Sequence, residues 1–383
     1  MRVRPLLLRL LLLGCSLLVS LALAEVAVRI VRPQPVMTIS GPLYAPDPPR
    51  RYRLRPGFVG TVGNRVEFTN RVAIDREGMR GPEAGARDPG PRDLGTLRGT
   101  LRILALGDSF TFGVGAEAGE TYPARLQEIL RARGLRAEVL NAGAPGYGVP
   151  DETVWFARWG KPLAPDVVLV TVFIGNDLQD AAPGNPKVAV VDGALVAPGE
   201  RGHSLSRWLY YHSHLFVLLK SSSPGGALRR LAGRPEPLET RELRAEIDLY
   251  AKGAPSPMVA GGAAATEAAV AGLVAEAGDA RILAVLIPSL VQVDPRRWDA
   301  NLKRFALDPA RYDRDRPNAI FRALFARHGV PVLDLTPTFA SAIARGERIY
   351  YPIDQHLTPA GYRLTARQVA AALPVPAERP VGR

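Results

Sequence analysis

An open α/β fold with a parallel, doubly wound sheet is the architecture this sequence predicts, and three observations predict it. From residue 101 onward, short β-branched and aliphatic runs alternate with amphipathic segments of helix length, the pattern of strands joined by crossover helices. One run, Val167-Val168-Leu169-Val170-Thr171-Val172-Phe173-Ile174, is apolar almost without a break, as a central strand covered on both faces must be. Polar motifs follow directly on the first three runs, at the sheet edge where open α/β folds place their ligand sites.

The N-terminus reads as a targeting or anchoring segment. Arg2, Arg4 and Arg9 precede a charge-free stretch over 10–24 that closes on Ala22-Leu23-Ala24, the layout of a secretory signal with a small-x-small exit. The rival is an uncleaved anchor. If Arg9 snorkels, residues 6–24 approach the roughly 20 residues a bilayer-spanning helix needs, and amphipathic 25–32 continues the helix into the interface. The Arg excess ahead of the span favours an N-in, C-out orientation. A lipoprotein site at Leu12-Leu13-Gly14-Cys15 is discounted because the apolar run continues past the cysteine. Both readings export the bulk of the chain to the cell envelope, as a single-pass inner-membrane protein or a secreted one. The anchor is preferred.

Residues 33–98 are rich in Pro, Gly and Arg. They read as a spacer with a small β-rich extension, an edge strand near 65–69, a solvated edge strand across 50–55 and turns over 86–99. The core then gives strands at 102–106, 138–140, 166–174, 281–287 and 330–335. Helices are expected at 122–133, with Pro123 in the first turn and Gly134 as the stop, and at 151–159, capped by Asp151. Two more follow at 319–328 and at 358–372, the last opened by Thr358 and Pro359. An insertion over 181–279 separates the third and fourth core strands. Its Asp192-Gly193 pair between 188–191 and 194–196 is a hairpin signal. It also carries an aromatic helix at 205–220, a stretch poor in order signals at 225–260 and an Ala-rich helix at 263–277. The predicted organisation is thus a leader or anchor over 1–32, an extension over 33–98, a catalytic domain over 99–375 and a tail over 376–383.

At 383 residues, 47% hydrophobic and 22% charged, the chain can bury one large core. The net charge of +12 suggests nucleic acid, but residues 1–59 hold nine Arg against Glu25 and Asp47, and no nucleic-acid-binding motif accompanies them. Nucleic acid is therefore excluded as a partner. Cys15 is the only cysteine, so no intramolecular disulfide forms. His212-Ser213-His214 has metal-like spacing but no Cys or acidic cluster beside it, so no metal is expected.

The chemistry lies behind the strands. Gly107-Asp108-Ser109-Phe110 follows the first, Asn141-Ala142-Gly143 the second and Gly175-Asn176-Asp177 the third. A parallel sheet converges these loops on one edge. Ser109 is the candidate nucleophile, which needs a base to take its proton and fixed donors for the oxyanion. The Ser109 and Gly143 N–H groups and the Asn176 amide supply three. Glycine at 143 is read as leaving room for substrate to approach the backbone. Of the five histidines, His203, His212 and His214 lie in the insertion and His328 at a helix end. That leaves His356 as the base, with Asp354 two residues earlier to hold its tautomer. No Gly-x-Ser-x-Gly elbow or phosphate-binding loop is present.

In these four blocks the chain resembles the SGNH, or GDSL-type, hydrolase superfamily. Ser109, Gly143, Asn176 and His356 fall in family order within G-D-S-F, N-A-G, G-N-D and the C-terminal histidine loop, over about residues 101–372. The resemblance implies a flavodoxin-like three-layer α/β/α sandwich, acyl hydrolysis or transfer on esters, and no metal or organic cofactor. One departure matters: the family's last block is D-x-x-H, whereas Ile353 stands three before His356 and the chain has D-x-H. That spacing resembles bacterial alginate-type acetyltransferase relatives. If Asp354 does not reach the ring, a Ser–His dyad oriented by a backbone carbonyl is the fallback.

The expected function is a serine esterase acting on acyl esters, O-acetyl above all, on small molecules or cell-envelope carbohydrate. The alternatives are an O-acyltransferase delivering the acyl group to a sugar hydroxyl, and a non-catalytic carbohydrate-binding module. Oligomeric state is left open.

Overall fold

The apolar run after Asp166 is buried at every residue but Phe173, and a parallel sheet forms around it. The structure is a computed structural model describing residues 3–47, 52–81, 99–183, 188–196, 205–222 and 238–373. A long helix, α1 (Val3–Val31), opens the chain. Five short strands follow: β1 (Thr38–Ile39), β2 (Tyr44–Pro46), β3 (Tyr52–Leu54), β4 (Val59–Gly63) and β5 (Thr69–Ala73). The core begins with β6 (Leu101–Gly107), α2 (Ser109–Phe112), α3 (Tyr122–Ala132), β7 (Ala137–Asn141), α4 (Val149–Trp155), β8 (Val167–Phe173) and α5 (Asp177–Ala181). The insertion holds β9 (Ala189–Val191), β10 (Ala194–Val196), α6 (Leu205–His212), α7 (His214–Ser221), α8 (Leu238–Asp248) and α9 (Pro257–Ala277). The chain then returns through β11 (Arg281–Ile287), α10 (Leu290–Val293), α11 (Pro295–Arg304), α12 (Arg316–Arg327), β12 (Val332–Asp334), α13 (Thr336–Ala344) and α14 (Pro359–Ala372).

The core strands lie in the order β7-β6-β8-β11-β12, every neighbouring pair parallel. Counted along the chain this is 2-1-3-4-5, the flavodoxin order, whose switch point falls between the first and third strands. Ser109 leaves the carboxyl end of that first strand. The pleat divides the strand residues into two cores. Leu104, Leu106, Val168, Val170 and Val172 face α4, α9 and α12 through Trp155, Val270 and Phe321. Ile103, Ala105, Leu169, Val285 and Ile287 face α3, α13 and α14 through Leu126, Phe339 and Val369. The three-layer α/β/α sandwich expected from the resemblance is therefore present.

Several local expectations are corrected. The stretch 65–69 is mostly the turn between β4 and β5 rather than a strand: Arg65 adopts φ 65°, and Asn64 Oδ1 accepts the N–H groups of Val66 (3.1 Å) and Glu67 (2.7 Å), an Asx turn outcompeting the ladder. Asp151 does not cap its helix. Gly148 does, with Pro150 in the first turn, and Asp151 sits at the third position. The aromatic helix at 205–220 is two helices, because Ser213 caps α7 by accepting the Phe216 N–H at 3.0 Å. Helix α8 forms inside the stretch poor in order signals, and α9 starts at Pro257 behind the Ser256 cap. The Asp192-Gly193 hairpin forms as expected, with Asp192 at φ 52° and Gly193 at φ 76°, the left-handed pair a type I′ turn requires. The turns expected over 86–98 lie outside the described residues.

Residues 34–47 and 52–81 pack onto the parallel-sheet core. Strand β4 lies between β1 and β5, and β2 pairs with β3. Leu43, Phe58, Val72 and Met79 join one core cluster with Leu104, Phe112 and Tyr147. Helix α1 presents a 25-residue stretch, Leu7–Val31, whose most apolar 18-residue window has a mean hydropathy of 2.3 and is not buried at any residue. Helix α9 is also long and apolar enough to span a membrane, but it packs Val259, Ala269, Val270 and Leu273 into the core. The far end of α1 is docked: Glu25 accepts from Ser213 Oγ (2.7 Å) and from the N–H groups of His214 and Leu215 (each 2.9 Å), and pairs with Arg29.

Candidate active site

Strand β6 ends in Gly107, and Asp108 caps the four-residue helix α2 by accepting the Phe110 N–H at 2.8 Å. Ser109 is the first residue of that helix and is only partly buried. Its N–H lies among the orphan donors of a helix start, and its Oγ points away from the core toward His356.

The C-terminal loop brings the rest. His356 Nε2 lies 2.8 Å from Ser109 Oγ, and His356 Nδ1 is hydrogen-bonded to Asp354 Oδ1. The D-x-H spacing closes because Gln355 takes the left-handed conformation, φ 68°. That turn lets Asp354 fold back on the ring two residues later. A non-glycine residue held there costs on the order of 1–2 kcal/mol, which the surroundings must offset. The imidazole packs beside Phe110 (ring centroids 5.0 Å apart), itself stacked on Phe173 at 4.1 Å. Burial disfavours the imidazolium, but the charge and hydrogen bond of Asp354, with the charge of Asp108, outweigh it and raise the His356 pKa above its usual 6.5.

The three sequence-predicted oxyanion donors are placed differently from one another. Gly143 follows β7, and its N–H donates to Asn141 Oδ1 at 3.1 Å, so a substrate oxygen would share it. Its lack of a side chain has another cause than substrate approach. A Cβ at 143 would stand 2.2 Å from the Phe112 nitrogen and 2.6 Å from the Thr111 carbonyl carbon. Glycine here lets the second loop lie against α2. Asn176 caps α5 behind β8 and is partly buried, and its Oδ1 is buried without a hydrogen-bond partner.

Behind these loops sit three buried carboxyl groups, Asp108, Glu152 and Asp177. Burial pushes Asp108 up to about 6, against the opposing Phe110 N–H and His356 charge. Burial, then the charges of Asp108 and Asp151, raises Glu152 well above the usual carboxylate range. Asp177 is raised in the same way by burial, Asp108 and Glu152. Both Glu152 carboxyl oxygens are buried without a hydrogen-bond partner, which favours the neutral acid. The stability consequence has a definite sign. An acid whose folded pKa lies above its unfolded value stabilises the fold below the unfolded pKa, and loses that contribution as pH rises through the folded one. Glu152→Gln is therefore expected to raise the urea midpoint at pH 8–9 and to leave pH 5 nearly unchanged. Loss of this one proton would flatten the pH dependence by at most about 1.4 kcal/mol per unit. Urea titrations across pH 5–9 measure this, and a variant weaker than wild type at pH 9 would refute a neutral Glu152.

Two charged residues of the extension reach the site without any sequence signal that marks them. The buried Arg80 guanidinium donates to the carbonyls of Phe112 and Gly113 (both 2.7 Å) and Ala116 (2.6 Å), holding the loop behind Ser109. Burial lowers its pKa to about 10. Glu67 meets the loop that carries Asp354. The His212-Ser213-His214 pattern is structural instead. His214 Nδ1 accepts the Gln34 N–H at 2.8 Å, and His212 Nδ1 lies 2.7 Å from the Trp208 carbonyl.

A serine, histidine and aspartate joined by hydrogen bonds at the switch point of a flavodoxin-ordered sheet define a hydrolase acting on ester bonds. The family model for the GDSL-like lipase/acylhydrolase family matches residues 105–364, and the chain belongs to that family. Among solved structures it is similar to the lipase/acylhydrolase from Enterococcus faecalis, at 14% identity over 70% of this chain and 93% of that one, with a TM-score of 0.38. It is similar too to an acetyl xylan esterase, AlAXEase, at 15% identity over 71% and 99%, TM-score 0.38. A third is a catalytic mutant of Axe2, an acetylxylan esterase from Geobacillus stearothermophilus, at 14% identity over 70% and 92%, TM-score 0.39. No curated protein sequence matches the chain.

Proposed function

We propose that this chain is a membrane-tethered serine esterase of the cell envelope that removes small acyl groups, O-acetyl above all, from carbohydrate. The observation that carries the reading is the continuous hydrogen-bonded path from Ser109 Oγ through His356 to Asp354. Ser109 attacks the ester carbonyl while His356 Nε2 takes its proton. Asp354 holds the Nδ1–H tautomer and stabilises the imidazolium. The oxyanion faces the Ser109 N–H, the Gly143 N–H and the Asn176 amide. His356 returns the proton to the leaving alcohol, then activates water to clear the acyl-enzyme.

The tether is supported by α1. Its exposed span is long enough to cross a bilayer, and the helix runs without interruption past Ala24. Glu25, the residue after the small-x-small exit, is engaged with α7, which favours an anchor kept in place over a leader removed at that bond.

A second reading, transfer of the acyl group to a sugar hydroxyl, is favoured by one feature, the D-x-H loop in place of D-x-x-H. The two separate in one experiment. The full chain in detergent micelles is given p-nitrophenyl acetate with and without a xylo-oligosaccharide acceptor, beside Ser109→Ala. Ser109-dependent p-nitrophenol release with acetate as the sole acyl product supports hydrolysis. Acetylated oligosaccharide at the expense of acetate moves the assignment to transfer. Oligosaccharide binding by both proteins with turnover by neither would leave a binding module.

A further inference from the structure

We infer that Glu67, in the N-terminal extension, is a positioning residue for the base, holding the Asp354–His356 loop in its catalytic shape. The inference deepens the esterase reading and rests on it. Glu67 stands at the end of the Asx turn between β4 and β5, outside the residues matched by the family model. Its two carboxylate oxygens take different partners: Oε1 accepts the Ile353 N–H at 2.8 Å and Oε2 the Asp354 N–H at 2.7 Å. Asn64 Nδ2 donates to Oε2 at 3.0 Å, and Asn64 Oδ1 accepts the Glu67 N–H at 2.7 Å, fixing the carboxylate from behind. One anionic group thus grips two consecutive amides, through charge-assisted bonds stronger than neutral ones.

Those amides immediately precede the strained step. Gln355 is left-handed at φ 68°, and only that turn returns the Asp354 carboxylate to His356 Nδ1. A residue in this conformation relaxes unless its neighbours over-determine it. On the C-terminal side the loop is closed by the Tyr351 N–H to the His356 carbonyl (2.9 Å) and by the Gln355 N–H to the Tyr351 carbonyl (3.0 Å). On the N-terminal side Arg297 donates to the Pro352 carbonyl at 2.6 Å, while the amides of Ile353 and Asp354 go to Glu67. The same turn seats Phe68 against the Tyr351 ring, centroids 4.9 Å apart, and the Tyr351 hydroxyl donates to the Gly115 carbonyl at 2.8 Å behind the nucleophile helix. The extension therefore ties the loop bearing the base to the loop bearing the nucleophile. Glu67 is hydrogen-bonded to neither Ser109 nor His356, so it acts through Asp354.

The test uses the full chain in detergent micelles, with Glu67→Ala and Glu67→Gln beside wild type. Turnover of p-nitrophenyl acetate, the melting temperature and the low-field proton resonance of the His356 Nδ1–H are measured on each. Glu67→Ala is expected to lower kcat and kcat/KM together by about 10- to 100-fold, the range a small misplacement of a catalytic group produces. KM and melting temperature should stay near wild type, and the low-field resonance should broaden or move upfield. Glu67→Gln keeps one acceptor oxygen and should fall between. Wild-type kcat and an unmoved resonance in Glu67→Ala would overturn the inference. So would kcat falling only in step with melting temperature, which would make Glu67 a brace of the fold. The esterase reading fails separately, through a wild-type protein with no Ser109-dependent turnover. In that case the resonance still decides whether Glu67 shapes the loop.

Discussion

Ser109→Ala is expected to remove p-nitrophenyl acetate turnover almost completely, a loss on the order of 10^4- to 10^6-fold in kcat. The size follows from what the hydroxyl does. Ser109 Oγ is the atom within 2.8 Å of His356 Nε2, and without it there is no nucleophile to form the acyl-enzyme. What remains is water acting on an ester held near the oxyanion donors. The substitution should leave the fold intact, because Asp108 caps α2 through Oδ1 and the Phe110 N–H, Gly113 closes it on the Ser109 backbone carbonyl, and only a long 3.4 Å bond from Ser109 Oγ to Asp108 Oδ2 is lost with the hydroxyl. An unchanged melting temperature beside the lost rate is the expected pair of results. His356→Ala should cost about as much, and the double variant little more, since residues that act as one unit are not additive. Initial rates together with mass spectrometry of the acylated Ser109 peptide make the measurement. A loss of less than tenfold would show that another group carries the acyl transfer.

The sheet was legible because its strands are buried on both faces. A run such as Val167–Phe173 has few other ways to be satisfied, and the parallel order follows from the helix-length segments between the runs. The position of Ser109, Gly143, Asn176 and His356 was legible for a related reason: each follows a strand or precedes a capped helix, and those local signals survive in one dimension. Boundaries were less so. Asp151 looked like a cap, yet Gly148 and Pro150 open the helix earlier and place it inside the first turn. The break at Ser213 is a local cap on the Phe216 N–H, and the same hydroxyl donates to Glu25, 188 residues away.

The contacts that shape the site were not legible. Glu67 and the loop it grips are 286 residues apart, joined side chain to backbone, and a carboxylate that binds amide N–H groups demands no particular residue type at the other end. Arg80 is one arginine among the many of a basic chain until the structure buries it against three carbonyls. Glu152 reads as an ordinary acidic residue near a helix start, where such residues are common, and only tertiary packing reveals that neither oxygen has a partner. What the sequence marked was the candidate groups of the site. What it hid was the scaffold that orients them, drawn largely from the stretch that reads as a spacer.

Asp354→Asn separates a triad from a dyad, and the geometry favours a large effect. Asp354 Oδ1 is the partner of His356 Nδ1, so the ring carries its proton there and leaves Nε2 free to accept from Ser109. An asparagine can instead offer its amide N–H to Nδ1, moving the ring proton to Nε2, where it blocks the base. A loss on the order of 10^3- to 10^4-fold in kcat is expected, as for the corresponding change in other triads. The pH dependence supplies a second sign. Asp354 is the strongest of the groups that raise the His356 pKa, with Asp108 behind it. Wild-type kcat/KM should therefore fall with acidification at a midpoint above the usual imidazole value of about 6.5. Once the anion is gone, burial and the remaining charge of Asp108 act alone, and the midpoint of the residual activity should move to lower pH. Rates across pH 5–9 for both proteins decide the matter. A loss below tenfold with an unmoved midpoint would leave Ser109 and His356 as a dyad, and would make the D-x-H turn a matter of loop shape alone.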